Sequence, residues 1–286
     1  MTKKYILIGS ALFCLLGCIF LYQCIIYNDK KLHLAICDVG QGDAIFMRTP
    51  DGSDILIDGG PDDSVLACLG RHMPFWDKTI ELVMMTHPHA DHMTGLIDVV
   101  KRYKVVSFGY EKLGNPTGAY KKLIDLLNQN HIKQIFLWQR DRFETSDGVV
   151  FETLWPTQEW FDQNSISETS SDANDFSMLE LLTYNHFKAL FTGDAQVSAM
   201  EKIESLAGRI DVLKVPHHGS QTGLNAEILD ILNPKLAAIS VGAKNKYGHP
   251  APFTLDLLKS KNIKTLRTDQ VGDIEIVSDG KNFSVN

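Results

Sequence analysis

The stretch Glu81-Leu-Val-Met-Met-Thr-His87-Pro-His89-Ala-Asp91-His92 decides the fold of this 286-residue chain. Its first part is an apolar run, which is expected of a strand buried on both faces. Three histidines and one aspartate then follow within six positions, at a strand end, where α/β proteins place their ligands. Because residues two apart on a tight loop point the same way, His87 and His89 are expected to converge on one ion, with Asp91 and His92 facing a second. A chance polar loop is the alternative, and four potential ligands at one strand end argue against it.

The pattern around this stretch is α/β. From about residue 31 onward, short apolar strands alternate with amphipathic helices in two strand-rich halves. Two packed sheets with helices outside them would satisfy such a pattern, although periodicity alone does not choose among layered architectures. Residues 158–175 are rich in Ser, Asp and Asn, which predicts a long loop.

Composition excludes several classes of protein. Hydrophobic residues make up 44% of the chain and charged residues 22%, so a disordered chain is excluded. The net charge of −7 argues against a surface that coats nucleic acid non-specifically, but it leaves room for a local basic site. The five cysteines are an odd number, which predicts no disulfide framework. Cys37 and Cys68 are expected to be buried as small apolar residues.

Residues 5–27 form an apolar run of 23 residues, in which Gln23 is the only strongly polar residue. About 20 such residues cross a bilayer. A cleaved signal peptide is the alternative, and a short stretch before Cys18 loosely resembles a lipoprotein cleavage box, but the run continues beyond it. We therefore expect residues 1–30 to be an uncleaved transmembrane anchor and residues 31–286 to form the body outside the cytoplasm, at the cell membrane. Lysines flank the run on both sides, so the positive-inside comparison is nearly tied.

Further polar residues recur at predicted strand ends. Asp58 precedes Gly59-Gly60, and Asp194 follows an apolar strand and Thr-Gly. Each one alone would be an ordinary turn aspartate, since Asp favours turns. His217-His218 and, later, His249 also follow predicted strands. One exposed histidine is usually a solvated surface residue, but three at strand ends, together with the first motif, favour a site.

His-x-His-x-Asp-His after a buried strand resembles the signature of the metallo-β-lactamase superfamily. The resemblance implies a four-layer αββα sandwich with a dinuclear metal site between the sheet edges. It is closer to one branch, the exported hydrolase domain of ComEC-type competence proteins. The matching segments, in chain order, are Asp38-Val-Gly-Gln-Gly-Asp-Ala44, Ile57-Asp-Gly-Gly60, residues 86–95, Thr192-Gly-Asp194, Val215-Pro-His-His-Gly-Ser220, Ser240-Val-Gly242 with Gly248-His-Pro250, and Arg267-Thr-Asp269 with Gly272.

The resemblance implies a role for each candidate residue. The implied metal ligands are His87, His89, Asp91, His92, Asp194 and His249. Asp194 would bridge two divalent ions, with Zn²⁺ favoured by the ligand types and Mn²⁺ as the alternative. The implied catalytic residues are Asp91, His217 and His218, and the choice between ligand and general acid stays open for the two adjacent histidines. Asp58 is expected to orient the ligand histidines from behind.

One departure from the superfamily concerns a further ligand histidine between the first motif and Asp194. The competence branch has Asn and Ser in that region, and this chain has Asp172-Ala-Asn174-Asp-Phe-Ser177. Asn174 is therefore expected at that position, while His131 and His186 are more typical of surface residues. A neutral amide binds a metal more weakly than imidazole does, so one ion would be held loosely and mononuclear activity stays open.

The function implied is that of a membrane-anchored, metal-dependent hydrolase with a metal-bound hydroxide as nucleophile. A phosphodiesterase or nuclease, related to the hydrolases of DNA uptake, is the first expectation, with nucleic acid or another phosphodiester as substrate. A hydrolase of a lactam or thioester is an alternative, and so is a non-catalytic binding protein that retains the fold. Lys244 and Lys246 come just before His249 and are expected to contact phosphate, unless they only form a solvated loop.

Overall fold

The computed structural model describes residues 2–164 and 171–286. Its α-helices are α1 (Thr2–Ile26), α2 (Ser64–His72), α3 (Ala90–Met93), α4 (Leu96–Arg102), α5 (Gly118–Gln129), α6 (Gln158–Asn164), α7 (Val197–Ala207), α8 (Ala226–Leu232), α9 (Pro252–Ser260) and α10 (Thr268–Val271). Its strands are β1 (Leu32–Ile36), β2 (Ile45–Arg48), β3 (Asp54–Ile57), β4 (Thr79–Met85), β5 (Lys104–Tyr110), β6 (Lys133–Phe136), β7 (Arg142–Glu144), β8 (Val149–Trp155), β9 (Leu179–Tyr184), β10 (Phe187–Phe191), β11 (Val212–Lys214), β12 (Leu236–Ile239), β13 (Lys264–Arg267), β14 (Ile274–Ser278) and β15 (Phe283–Val285). Short 3₁₀ helices lie at Ser171–Phe176 and Pro216–Gly219.

In the described part of the chain, the strands form two mixed sheets. One has eight strands in the order β15-β14-β1-β2-β3-β4-β5-β6, and the other has seven in the order β13-β12-β11-β10-β9-β8-β7. Neighbours from β3 to β6 are parallel, and so are those from β10 to β13. The carboxyl ends of each parallel run lie at one edge. There the Met178 N–H donates to the Thr86 carbonyl at 2.9 Å and joins the two halves.

Three hydrophobic clusters hold four layers together. One fills the space between the sheets and includes Leu34, Ile55 and Leu182. Another lies under α2, α4 and α5 on the outer face of the eight-stranded sheet, and the third lies under α7, α8 and α9 on the seven-stranded sheet. Each fully buried Leu or Ile contributes about 1.5–3 kcal/mol. The predicted αββα sandwich is confirmed.

The first helix stands apart from these layers. Its stretch Lys4–Ile26 has a mean hydropathy of 2.3, none of the most apolar part is buried, and its length and composition are those of a membrane span. A signal sequence near an N-terminus has the same properties. Contacts with the body occur at the end of the helix, where the Tyr27 hydroxyl donates to the Arg71 carbonyl at 3.0 Å. The helix is therefore a candidate anchor for the body.

The loop predicted over residues 158–175 is wrong in its first part, because α6 occupies Gln158–Asn164. Aromatic packing overrides the polar composition here. The Trp160 ring lies 4.5 Å from that of Trp155 and 4.8 Å from that of Phe176, and the Phe161 ring lies 5.4 Å from Phe176. Residues 165–170, in the middle of the predicted loop, lie outside the described residues.

The expectation of free cysteines in the body is wrong. Cys37 and Cys68 are fully buried, as predicted, but they form a disulfide with their Cα atoms 5.8 Å apart. The three remaining cysteines lie in α1. The odd number of cysteines therefore gave no sign of this disulfide, whose two cysteines meet only when α2 packs against the sheet. Disulfides persist in oxidising compartments, outside the cytoplasm.

Candidate metal centre

The site lies where the parallel strands of both sheets end. Asp58 follows β3, and the His87–His92 segment follows β4, whose Met84 is paired with Ile57. In the other sheet, Asp194 follows β10 and the adjacent histidines follow β11, and these strands pair at Leu190 and Leu213. Parallel neighbours end at the same edge of a sheet, so residues more than 100 positions apart along the chain meet there.

Asp91, His92, Asp194 and His218 form one compact cluster, in which one ligand atom from each lies within 4.8 Å of the others. Asp194 Oδ1 is central, because it lies 3.2 Å from His92 Nε2 and 3.4 Å from His218 Nε2. Asp91 Oδ2 lies 3.5 Å from the same His218 nitrogen. The arrangement brings two imidazoles and two carboxylates to one point.

The donor atoms of this cluster suit a divalent cation. His92 Nδ1 lies 2.8 Å from an Asp58 oxygen, and His218 Nδ1 lies 3.0 Å from the Ser240 carbonyl, so both Nδ1 atoms carry the proton. In a neutral ring Nε2 then presents a lone pair. Both Nε2 atoms and Asp194 Oδ1 are buried without a hydrogen-bond partner among the described residues. Acceptors that face one another repel unless a proton or a cation lies between them, and nitrogen and carboxylate ligands suit Zn²⁺ and related ions.

Protons compete with a cation for this cluster. Burial alone would lower the pKa of His92 and of His218, but nearby carboxylates, Asp194 foremost, raise both pKa values well above the ordinary value. Burial would raise the pKa of Asp194, yet His218 and His92 hold it well below the ordinary value. Metal binding must therefore release protons, and it weakens as the pH falls.

His87 and His89 lie beside the cluster. The His87 ring is 4.2 Å from the His92 ring and 4.5 Å from the His89 ring. Burial lowers the pKa of His87 well below its ordinary value and also lowers that of His89, so both rings are neutral and able to coordinate. His87 Nε2 is buried and has no partner in the described part of the chain.

The two adjacent histidines occupy different positions. Both have left-handed backbones, with φ of 49° at His217 and 53° at His218, which is uncommon outside glycine. His218 is fully buried in the cluster. His217 is partly exposed, and its Nε2 lies 3.7 Å from Asp194 Oδ2. Of the pair, His218 has the geometry of a ligand, while His217 lies between Asp194 and solvent.

His249 does not join the four-residue cluster. Its ring lies 5.5 Å from that of His217 and 6.0 Å from that of Tyr247, to which it is nearly parallel. The Asn245 side chain holds this loop by bonding to the backbone of His249 and Gly242. His218, which was also expected in the site, is carried inward by the turn after β11, where its Nδ1 lies 3.0 Å from the Ser240 carbonyl. A ligand role for His249 stays a prediction.

Asp58 lies behind His92 and is fully buried. One of its oxygens accepts from the Thr86 N–H, and the other accepts from the Thr86 hydroxyl, both at 2.7 Å. The second oxygen also contacts His92 Nδ1. A carboxylate in this place fixes the tautomer and orientation of an imidazole whose other nitrogen binds a metal, which is the contact expected of Asp58.

Asn174 is buried, whereas the two loop lysines are exposed. The Asn174 side chain is buried, and its Oδ1 has no hydrogen-bond partner among the described residues. Ser177 is the residue of that segment that reaches the site, because its Oγ lies 3.2 Å from His87 Nδ1 and accepts from the Asp194 N–H at 3.2 Å. Lys244 and Lys246 are exposed on the loop that leads to His249.

Asp43 and Lys214 are site residues that the sequence reasoning missed. Lys214, the last residue of β11, is fully buried; its ammonium contacts Asp43 and donates to the Gly193 carbonyl at 2.9 Å. Asp43 Oδ1 lies 3.4 Å from His218 Nδ1. A lysine inside an apolar strand was the available signal, because a buried charge is costly unless it is paired.

Comparisons with known proteins agree with this geometry. The model of the metallo-beta-lactamase superfamily matches residues 37–161. The chain is 26% identical over 276 residues to ComE operon protein 3 of Bacillus subtilis (strain 168), covering 90% of this chain and 34% of that protein. It is also 26% identical over 257 residues to competence protein ComA of Neisseria gonorrhoeae, covering 86% and 32%. The chain thus spans about a third of the length of these relatives.

Similarity to solved structures supports the fold alone. The crystal structure of Zn(2+)-bound PqqB from Methylobacterium extorquens superimposes with a TM-score of 0.53 at 11% sequence identity, covering 82% of this chain and 97% of that one. The family match, the two-sheet sandwich and the His/Asp cluster at the strand ends point the same way. Residues 37–161 thus match the metallo-β-lactamase superfamily, the described chain has the two-sheet sandwich of that fold, and the sequence is similar to competence proteins.

Proposed function

We propose that this protein is a membrane-anchored, metal-dependent hydrolase that cleaves phosphodiester bonds, with nucleic acid as the preferred substrate class. The observation that carries the proposal is a set of buried ligand atoms, from His92, Asp194 and His218, that have no hydrogen-bond partner in the described part of the chain. Divalent ions held there, Zn²⁺ by preference, would polarise a substrate oxygen and lower the pKa of water. Two ions are proposed, with His87 and His89 completing the second site.

The chain's own residues divide the remaining work. Asp58 holds His92 in place, and Asp194 is shared between the two imidazoles. The Asp91 side chain is 31% exposed, so it is the carboxylate of the cluster that an attacking water can reach and be oriented by. His217 faces both Asp194 and solvent, where it can pass a proton to a leaving oxygen. Burial lowers the pKa of His217 below its ordinary value, so the resting ring is neutral, and it would pass on a proton that it first takes up at the site.

The loop before His249 supports a nucleic-acid substrate. Lys244 and Lys246 place two positive charges there on a chain whose net charge is −7, and phosphate contacts of this kind provide most non-specific affinity. Tyr247 is 71% exposed and lies parallel to the His249 ring. Exposed aromatic rings beside basic residues bind single-stranded nucleic acid by stacking on its bases. The relation to competence proteins agrees with this substrate class.

Hydrolysis assays on the purified, full-length protein test the proposal. We expect bound divalent metal and metal-dependent cleavage of bis-p-nitrophenyl phosphate and of a DNA oligonucleotide, with no turnover of a cephalosporin. Turnover of the cephalosporin alone would favour a lactam hydrolase instead. Protein that binds no metal and cleaves none of the three would be a binding protein that retains the fold.

The variant Lys244→Ala/Lys246→Ala should raise KM for DNA about tenfold at low salt and leave kcat nearly unchanged, because the lysines would bind phosphate away from the reacting bond. The slope of log KM against log salt concentration should fall by roughly one per lysine. Lys121→Ala/Lys122→Ala, an exposed pair on α5, is the matched control. Equal KM values for the loop variant and this control would contradict the phosphate contacts.

The body should lie outside the cytoplasm, with α1 in the membrane. The apolar length of α1 favours a membrane span, and the buried disulfide of the body favours an oxidising compartment outside the cytoplasm. Protease added to intact cells should digest the body while a cytoplasmic marker stays whole. Protection of the body until the cells are lysed would reverse the orientation.

A further inference from the structure

The segment of residues 73–78 between α2 and β4, called the aromatic loop here, exposes two large aromatic side chains. Phe75 is 57% exposed and Trp76 is 41% exposed, while Met73 beside them is buried. Single exposed apolar residues are common, but adjacent exposed aromatics usually mark an interaction site. Phe75 and Trp76 are therefore expected to have a partner that covers them.

The aromatic loop packs on the apolar helix rather than on the body alone. The Phe20 ring lies 4.9 Å from that of Trp76 and 6.4 Å from that of Phe75. Gln23, the strongly polar residue of the apolar run, accepts a hydrogen bond from the Phe75 N–H at 3.1 Å. That bond satisfies the Gln23 amide oxygen and the Phe75 N–H, and polar groups at membrane depth need such partners within the protein.

The level of this contact along α1 points to the occupant. Phe20 lies six residues before the helix ends at Ile26, and a rise of 1.5 Å per residue puts it about 9 Å inside that end. The 23-residue span is about 34 Å long by the same rise, against about 30 Å for the hydrocarbon core. If α1 crosses the bilayer, the rings packed on Phe20 lie about 7 Å inside the edge of the hydrocarbon core, in the outer part of the acyl chains.

The chemistry of the aromatic loop agrees with that position. Trp is enriched at membrane interfaces, because its ring is apolar and its N–H is polar. The polar neighbour Asp77 is turned to the body, where it accepts from the Thr79 N–H at 3.1 Å and from Arg48 at 3.3 Å. The exposed side chains of this loop are therefore Phe75, Trp76 and Lys78. The Lys78 ammonium lies 5.2 Å from the Tyr103 ring centre.

We infer that the aromatic loop is a second membrane contact, in which Phe75 and Trp76 insert into the phospholipid interface beside α1 and hold the catalytic body against the bilayer. This inference rests on the proposed anchoring by α1, and it goes further by giving the body a fixed position at the lipid surface.

Fluorescence quenching in vesicles tests the inference on the full-length chain. The protein is reconstituted in phosphatidylcholine vesicles with and without brominated acyl chains, and flotation first establishes that it is membrane-bound. The signal of Trp76 is taken as the difference between the wild type and Trp76→Phe. We expect that component to be strongly quenched by the brominated lipid and protected from aqueous acrylamide.

Two further variants keep the test independent of any one substitution. In the Trp76→Phe background, Phe75→Trp should restore a lipid-quenched signal. Phe253→Trp, at an equally exposed aromatic position on α9 in the opposite helix layer, should add a signal quenched only by acrylamide. A chain that floats while residues 75 and 76 report only acrylamide quenching would overturn the inference and leave the anchor intact. A chain that does not float would overturn both.

Discussion

Asp194→Ala should remove most of the bound metal and reduce kcat/KM by 100-fold or more, on the order seen when a metal ligand or its support is lost. Asp194 Oδ1 lies within 3.4 Å of both His92 Nε2 and His218 Nε2. Its other oxygen faces His217. No other carboxylate among the described residues meets three of the histidines, so a one-sided ligand such as His89 should matter less when changed to Ala.

Metal analysis of purified protein measures this effect separately from activity. Asp194→Asn keeps the size of the side chain and should also lose metal, which would separate the charge from the packing. Asp98→Ala, which removes an exposed partner of Lys101 on α4, is the matched control and should keep both metal and activity. Full metal content in Asp194→Ala would show that Asp194 does not hold the ions.

Lys214→Met should destabilise the protein by about 3–5 kcal/mol, because it leaves the buried Asp43 carboxylate without its cation. Burial alone would raise the pKa of Asp43, but Lys214 and His218 lower it to about 2. The carboxylate is thus ionised at neutral pH. The ion pair contributes its full stabilisation above the ordinary pKa of 3.8, and this stabilisation is lost as the pH falls through about 2. Methionine nearly keeps the length of the side chain, and it removes the charge together with the hydrogen bond to the Gly193 carbonyl.

Denaturant unfolding at neutral pH checks this expectation. The double variant Lys214→Met/Asp43→Asn should recover part of the loss, since it removes both charges, and the difference measures their coupling. Lys235→Met is the control, because Lys235 is 68% exposed in its ion pair with Asp211, and it should cost less than about 1 kcal/mol. If Lys214→Met unfolded at the same denaturant concentration as the wild type, the ion pair would not stabilise the folded protein.

Local features of the chain were predictable because their physical cause is local. The apolar run of α1 depends only on its length and composition, and it appears as one helix. The His87–His92 segment concentrates its ligands within one turn after one strand, so the position of the centre followed from that strand alone. The αββα layers followed from the order of strands and helices together with the resemblance to one superfamily.

Features that join distant parts of the chain were missed or left open. The odd number of cysteines concealed the pairing of Cys37 with Cys68, because only the packing of α2 on the sheet shows which cysteines meet. The polar composition of residues 158–164 concealed α6, whose Trp160 and Phe161 find aromatic partners in other segments.

The sequence by itself determined the anchor candidate, the α/β class and the first ligand motif, because each is encoded by neighbouring residues whose spacing has one physical meaning. Only the tertiary structure decided that His218, and not His249, meets Asp91 and Asp194. It also decided that Lys214 closes a buried ion pair with Asp43 behind that histidine. Those choices depend on which strands lie side by side and which side chains lose contact with water. The spacing of residues along the chain reveals neither the neighbours of a strand nor the burial of a side chain.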